Sequence, residues 1–341
     1  MKAMILNALT DLSKETEPLQ FSILPNPVPG PRDVLLKVSA CGVCHTELDE
    51  IEGRTPPPHL PVVLGHQVIG KVVARGERVS EYKRGDRLGV AWIFSSCGTC
   101  AYCLEDNENL CSQFRATGRD VHGGYAEFMA VPADSAFPIP DQFTDAEAAP
   151  LLCAGAIGYR SLKLSGIING QHLGLTGFGA SAHLVLKMAR HRFPATKIYV
   201  FARSKSEQEF AMELGASWAG GTEETPDVLL DAIIDTTPVW KPVVEALKNL
   251  KPGGRLLINA IRKEEMDKAY LLKLDYPEHL WMEKEIKSVA NVAKSDVREF
   301  LELAAEIPIK PEYQEYLLED ANIALLELKN RKIRGAKVLV I

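Results

Sequence analysis

Along residues 1–153 short apolar stretches alternate with corners rich in Pro and Gly: LQFSIL, NPVPGPRDV, VLLKVSA, PVVLGHQVIGKVVA and ERVSEYKRGDRLGV follow one another. The period-two alternation and the β-branched residues predict short strands curled into a compact β unit with few helices. From about residue 154 the rhythm changes. Apolar runs suited to buried strands at 172–176, 197–201, 229–236, 255–260 and 285–290 alternate with helical patterns at 180–190, 205–214 and 243–250, the last stopped by KPGG. Strands separated by helices need crossovers, which predicts a mostly parallel sheet. The tail changes pattern again, with helices expected near 297–305 and 322–332 before the apolar strand AKVLVI. Such a tail can return to the first unit and make that domain discontinuous.

One stretch, 95–118, shows neither period. A connection of that length needs something other than an apolar core to hold it. It carries Cys97, Cys100, Cys103 and Cys111 in the spacing C-x2-C-x2-C-x7-C, which lets a short loop fold four thiolates around one tetrahedral zinc ion. Iron–sulfur ligation also uses close thiolates, but this single cluster lacks the usual Cys-Pro context. Unmetallated core or redox thiols are the remaining alternative. Four thiolates leave no open position, so a metal here folds the loop and takes no part in chemistry.

Cys41, Cys44 and Cys153 lie in CGVCHTELDE and PLLCAGAIGY, and His66 lies in GHQVIG. Cys44, His66 and Cys153 offer two thiolates and an imidazole from three distant segments, with the Thr46 hydroxyl and the Glu47 and Asp49 carboxylates close in sequence. Such a set leaves a fourth zinc position for water or substrate. His66 taken alone fits a satisfied buried histidine equally well, and Cys41 reads as a small buried thiol. Where the strand at 172–176 ends, Gly177-x-Gly179-x-x-Ala182 opens the next helix. In that setting Gly177 makes a tight turn, Gly179 gives a dinucleotide pyrophosphate access to backbone, and Ala182 lets the helix lie close to the sheet. A tight turn with small residues chosen only for packing is the alternative.

Composition sets the context. The 341 residues are 46% hydrophobic and 25% charged, an ordinary balance for a globular chain. A formal charge of -6 speaks against a general nucleic-acid binder. No apolar run approaches the roughly 20 residues that span a bilayer, and MKAMILNALT runs into the charged DLSKE without a cleavage pattern, so a cytoplasmic protein with no membrane partner is expected. In that reducing setting the clustered cysteines read as ligands and not as disulfides.

GVCHTE, GHQ, the four-cysteine loop, LLCAGAIGY and the closing AKVLVI together resemble the zinc-dependent medium-chain alcohol dehydrogenases over essentially the whole chain. The resemblance implies an α/β fold. Residues 1–153 plus 291–341 would form a GroES-like β-rich catalytic domain with a structural-zinc lobe at 95–118. Residues 154–290 would form a Rossmann cofactor-binding domain, a doubly wound parallel sheet. Carried over residue by residue, the resemblance makes Cys44, His66 and Cys153 the catalytic zinc ligands. Thr46 becomes the hydroxyl that receives the alcohol proton, and His45 a residue reaching the cofactor phosphates. Two zinc ions per chain are implied, one catalytic and one structural. The implied reaction is reversible oxidation of a primary or secondary alcohol to an aldehyde or ketone, with hydride transfer to NAD(P)+.

Three residues depart from the family pattern. Glu47 stands where aspartate is usual, lengthening the arm expected to orient His66. Gln67 replaces the usual glutamate, removing a negative charge near the metal. Asp49 stands where a histidine often forms the outer end of the proton relay. Cofactor choice depends on YVFARS, where NAD-selective members usually carry an acidic side chain at the position of Ala202. Ala202, Arg203 and Ser204 offer no carboxylate, and Arg203 can pair with a 2'-phosphate. NADP(H) is therefore expected ahead of NAD(H), with adenine stacking or a solvated surface charge as the other roles open to Arg203. Trp92 resembles an aromatic wall of the substrate pocket, and Thr55 stands where some small-alcohol enzymes carry a second tryptophan, which suggests room beyond ethanol. A polyol or sugar dehydrogenase of the same superfamily is the alternative within the class. A nucleotide-responsive zinc-folded binding protein is the alternative outside it. Resemblance to bacterial members suggests a homotetramer, with a homodimer next.

Overall fold

The computed structural model describes residues 1–307, 309–330 and 335–341. No helix among them is long and apolar enough to cross a membrane. They form two units, one of Met1–Cys153 with Val292–Ile341 and one of Ala154–Asn291.

The strand Asp33–Val43 is the axis of the first unit. It pairs antiparallel with Val68–Arg75, with Phe128–Pro132 and with the terminal strand Ala336–Val340. The sheet continues through Arg87–Val90 to Ala136–Pro138 on one side and to Tyr313–Leu317 on the other. Leu36, Val38, Val68, Leu88, Tyr125, Leu325 and Leu339 share one buried cluster, each aliphatic side chain contributing roughly 1.5–3 kcal/mol by leaving water. The tail belongs to this unit because Val338 and Leu339, both 0% exposed, lie opposite Gly42 and Cys41 in the ladder. That register places the tail beside the segment that leads into Cys44.

The second unit is a six-stranded parallel sheet. Its order is Trp218–Gly220, Lys197–Phe201, His172–Thr176, Leu230–Asp235, Leu250–Ile258 and Glu285–Ser288. Leu173, Leu175, Ile233 and Ile234 are each 0% exposed, as expected for strands covered on both faces. Helices Ala180–Arg192, Lys205–Glu213 and Lys241–Lys248 make the crossovers. The chain winds outward from His172–Thr176 in one direction and then resumes on its other side. Strand order therefore reverses between His172–Thr176 and Leu230–Asp235, and at such a reversal the carboxyl ends of the strands part to leave a crevice for ligands.

Three elements differ from what the pattern predicts. KPGG does not separate helix from strand. The helix ends at Lys248, and Leu250–Ile258 already includes KPGG, with a register shift opposite Leu230 and Ala232 that accommodates Pro252 and the left-handed Gly253. The 95–118 stretch holds local structure: Ile93–Ser95 pairs antiparallel with Arg115–Ala116 at its base, and a helix Ala101–Leu104 lies between. Elements of two to four residues are too short to leave a period. The helix expected at 322–332 is Ala321–Lys329, and positions 331 and 332 lie outside the described residues.

Candidate active site

The passage from Asp33–Val43 into the helix His45–Ile51 presents Cys44 as the helix N-cap, with extended backbone at φ -137°. Its Sγ accepts from the Thr46 N–H at 3.4 Å, and its own N–H donates to Glu47 Oε2 at 2.8 Å. His66 is brought in by a turn that only glycine permits. Gly65 has φ +95°, and a Cβ there would stand 2.4 Å from the Tyr125 ring and 2.8 Å from Cys41 Sγ. His66 Nε2 lies 3.6 Å from Cys44 Sγ, while Nδ1 lies 2.7 Å from Glu47 Oε1. Trp92 packs edge-on against the imidazole, with centroids 4.9 Å apart and an interplanar angle of 87°. Cys153 sits in the widened helical segment Leu151–Gly155. Ligand atoms of Cys44, His66 and Cys153 all lie within 4.8 Å of one another.

These groups fit a cation. The adjacent Cys153, burial and Glu47 push the Cys44 thiol well above its usual range, so two thiolates here need a positive charge between them. Burial alone would depress the His66 pKa, but the charges of Glu47 and Cys44 reverse that and hold it well above the usual value. A tetrahedral zinc with Zn–S of about 2.3 Å and Zn–N of about 2.0–2.1 Å separates sulfur from nitrogen by about 3.6 Å. The Cys44–His66 distance agrees with that separation.

The four-cysteine loop passes the same test. Cys97 Sγ lies 3.8 Å from Cys103 Sγ, and Cys100 Sγ lies 3.6 Å from Cys103 Sγ. The edge of a tetrahedral ZnS4 group is about 3.8 Å. Backbone N–H groups of Thr99 and Cys100 point at Cys97 Sγ at 3.5 and 3.3 Å and bring that thiol down to about 5. The N–H groups of Cys97 and Gln113 likewise point at Cys111 Sγ, at 3.5 and 3.3 Å. All seven cysteines are free of disulfides, and Cys41 belongs to neither group: it is buried, and burial holds its thiol well above the usual range.

The residues that depart from the family pattern take definite positions. Glu47 is 0% exposed and spans both the Cys44 N–H and His66, so its longer arm is folded back over the helix start. Gln67 is buried against Gly42, where an added Cβ would meet its Oε1 at 2.6 Å. Asp49, expected at the outer end of the proton relay, lies on the inward side of the helix start. It is 5% exposed, and the Arg54 guanidinium binds its Oδ1 at 2.5 Å. Thr46 is half-buried and His45 exposed. Glu50 was not singled out from sequence. It is 0% exposed, with burial first and Glu47 second holding its carboxyl well above the carboxylate range. Its signal was the run ELDE, which at i,i+3 puts Glu47 and Glu50 on one inward helix face.

In the second unit Gly177 adopts φ +75° directly after His172–Thr176. Gly179 caps the helix Ala180–Arg192, and an added Cβ there would meet nothing within 4 Å. Backbone at this helix start is therefore open to an anion. Ala182 is 0% exposed, consistent with close helix-to-sheet packing. Ala202 is buried and Arg203 exposed. Ser204 caps the helix Lys205–Glu213: its Oγ accepts from the Glu207 N–H at 3.3 Å and donates to Glu207 Oε2 at 2.9 Å. The Ser204 hydroxyl is thus occupied, and Glu207 brings in a carboxylate that the sequence reading did not count.

Comparison with known proteins agrees with this geometry. The alcohol dehydrogenase GroES-like domain model matches residues 30–141, all in the first unit. "Probable alcohol dehydrogenase AdhA" of Mycobacterium tuberculosis (strain CDC 1551 / Oshkosh) is 41% identical over 332 residues, 96% of this chain and 94% of that protein. An alcohol dehydrogenase of Geobacillus stearothermophilus is 32% identical over 316 residues, covering 90% of this chain and 91% of its own. The solved cinnamyl alcohol dehydrogenase SbCAD4 of Sorghum bicolor has a TM-score of 0.84 at 26% identity, covering 99% of this chain and 98% of that one. Identity at this level over nearly the full length of both chains, joined to the GroES-like unit, the Rossmann sheet and the thiolate clusters, makes the chain an NAD(P)-dependent alcohol dehydrogenase of the zinc-dependent medium-chain family.

Proposed function

We propose that Cys44, His66 and Cys153 hold a catalytic zinc ion, that Cys97, Cys100, Cys103 and Cys111 hold a structural one, and that Thr46 takes the proton of the alcohol. The spacing of ligand atoms supports this reading: the S–N and S–S distances of 3.6–3.8 Å suit tetrahedral zinc in both places. Zinc supplies Lewis acidity at the alcohol oxygen, and the nicotinamide accepts hydride. The chain's own residues set the stage for both. Glu47 orients His66 and raises its basicity. The Thr46 hydroxyl can accept the substrate proton while donating its own. Trp92 forms an apolar wall against His66, and small aliphatic or aromatic alcohols suit such a wall because it distinguishes neighbouring chain lengths only weakly. With Asp49 Oδ1 held by Arg54, solvent is the proposed exit for the proton beyond Thr46.

The test is metal content. Purified active enzyme is expected to hold two zinc equivalents per chain by elemental analysis. Cys111→Ser is expected to lower both zinc content and thermal midpoint, because the loop relies on the ion in place of a core. One equivalent in fully active enzyme would overturn the catalytic assignment.

NADP(H) is proposed as the preferred cofactor, since Ala202 offers no carboxylate and Arg203 lies exposed just beyond the strand. Glu207 favours the opposite choice, because its carboxylate occupies Ser204 where a 2'-phosphate would compete. Initial rates with NADPH and NADH on one panel of aldehydes decide between them. Arg203→Ala is expected to raise KM for NADPH about tenfold or more with little change for NADH, the size of one charge-assisted contact. Preference of the parent for NADH would overturn the NADP reading and leave the zinc assignments intact. A homotetramer, with a homodimer as the alternative, is proposed from the family resemblance, and light scattering tests it. Zinc-ligating thiols suit a reducing compartment, which supports a cytoplasmic setting.

A further inference from the structure

Beneath the Gly177 turn lies a buried ion pair that the reaction scheme above does not use. Asp235 ends the strand Leu230–Asp235, and Lys263 follows Leu250–Ile258; their side chains are 0% and 7% exposed. One carboxylate oxygen accepts the Thr176 hydroxyl at 2.6 Å, the Thr237 hydroxyl at 2.7 Å and the Thr237 N–H at 3.3 Å. The other accepts from the Lys263 ammonium, which also donates to the carbonyls of Thr237 at 2.7 Å and Val239 at 3.2 Å. Both charges are therefore fully engaged.

A buried pair of this kind adds little stability over apolar packing, since desolvation costs about as much as the attraction returns. Its place in the fold offers a better reason for it. Thr176 and Asp235 are register partners at the ends of the two strands that flank the reversal of strand order, where parallel sheets receive ligands. A Cβ on Gly177 would meet Thr237 Cγ2 at 2.9 Å and Thr236 Oγ1 at 3.0 Å, so the glycine turn rests on the segment that Asp235 and Lys263 hold. That turn leads to the helix N-terminus suited to the anionic phosphates of a dinucleotide. A bare carboxylate directly beneath it opposes that charge.

We propose that Lys263 is a cofactor-positioning residue: its ammonium, anchored on the carbonyls of Thr237 and Val239, acts by cancelling the Asp235 charge beneath the Gly177 turn at the strand-order reversal. This rests on the assignment of Gly177 and Gly179 to the cofactor. The test is calorimetric binding of NAD+ and NADP+ to zinc-loaded parent, Lys263→Met, Lys263→Arg and the double variant Asp235→Asn with Lys263→Met, with zinc content and circular dichroism as controls on folding. Lys263→Met is expected to raise Kd for both dinucleotides about tenfold or more, because it leaves the carboxylate uncompensated. Lys263→Arg is expected to stay near the parent, and the double variant to recover most of the loss because both charges are gone. Equal weakening in Lys263→Met and the double variant, or an unchanged Kd in Lys263→Met, would overturn the proposal. Should Lys263→Met not fold, weak binding by a folded double variant overturns it equally. Failure of the parent to bind either dinucleotide would instead overturn the cofactor assignment, and the proposal with it.

Discussion

Cys153→Ser is expected to leave the enzyme with one zinc equivalent in place of two and to slow alcohol oxidation by at least about 10³-fold. A Lewis acid contributes several kcal/mol at the reacting oxygen, and each 1.36 kcal/mol is tenfold in rate. The effect should be confined to the open site. Cys153 lies in Leu151–Gly155, whereas the four-cysteine loop is closed at its base by Ile93–Ser95 and Arg115–Ala116, which do not depend on it. The variant should therefore keep its circular dichroism and its structural zinc. Elemental analysis beside single-turnover hydride transfer reads both quantities. A variant holding two zinc equivalents at parental rate would remove Cys153 from the site.

The local site was largely legible because metal ligation restricts residue type and spacing so tightly. Cys97, Cys100, Cys103 and Cys111 announce a loop held by something other than apolar contacts, and their sulfurs do converge. The second unit was legible for a different reason: strands covered on both faces leave unbroken apolar runs such as HLGLT and KIYVF. KPGG misled because a bulge lets a strand carry Pro and Gly that ordinarily end one. The acidic residues around Cys44 and His66 were the least legible part. Glu50 stands in the run ELDE without the spacing of a ligand or a relay group, yet it is 0% exposed beside Glu47. Nothing local marks Asp235 and Lys263 as partners across 28 positions. Ser204 and Glu207 were a different omission, since S-x-x-E is a visible capping box and competes with the cofactor role given to Ser204.

Thr46→Ala is expected to bind zinc and cofactor as the parent does but to lose about 10²–10⁴-fold in the hydride-transfer step, the usual share of positioned proton transfer. The hydrogen bond from Thr46 to the ligand set comes from its main-chain N–H, on Cys44 Sγ at 3.4 Å, and survives replacement by alanine or serine. The helix start is likewise held by Glu47 on the Cys44 N–H and does not require the Thr46 hydroxyl. Loss of rate with intact metal content therefore reports on the hydroxyl itself. Thr46→Ser should retain most of the rate, because serine keeps an oxygen that accepts one proton while donating another. Stopped-flow measurement of NAD(P)H formation separates this step from product release. Equal chemical rates for the parent and Thr46→Ala would take Thr46 out of the proton path and leave solvent as the first acceptor.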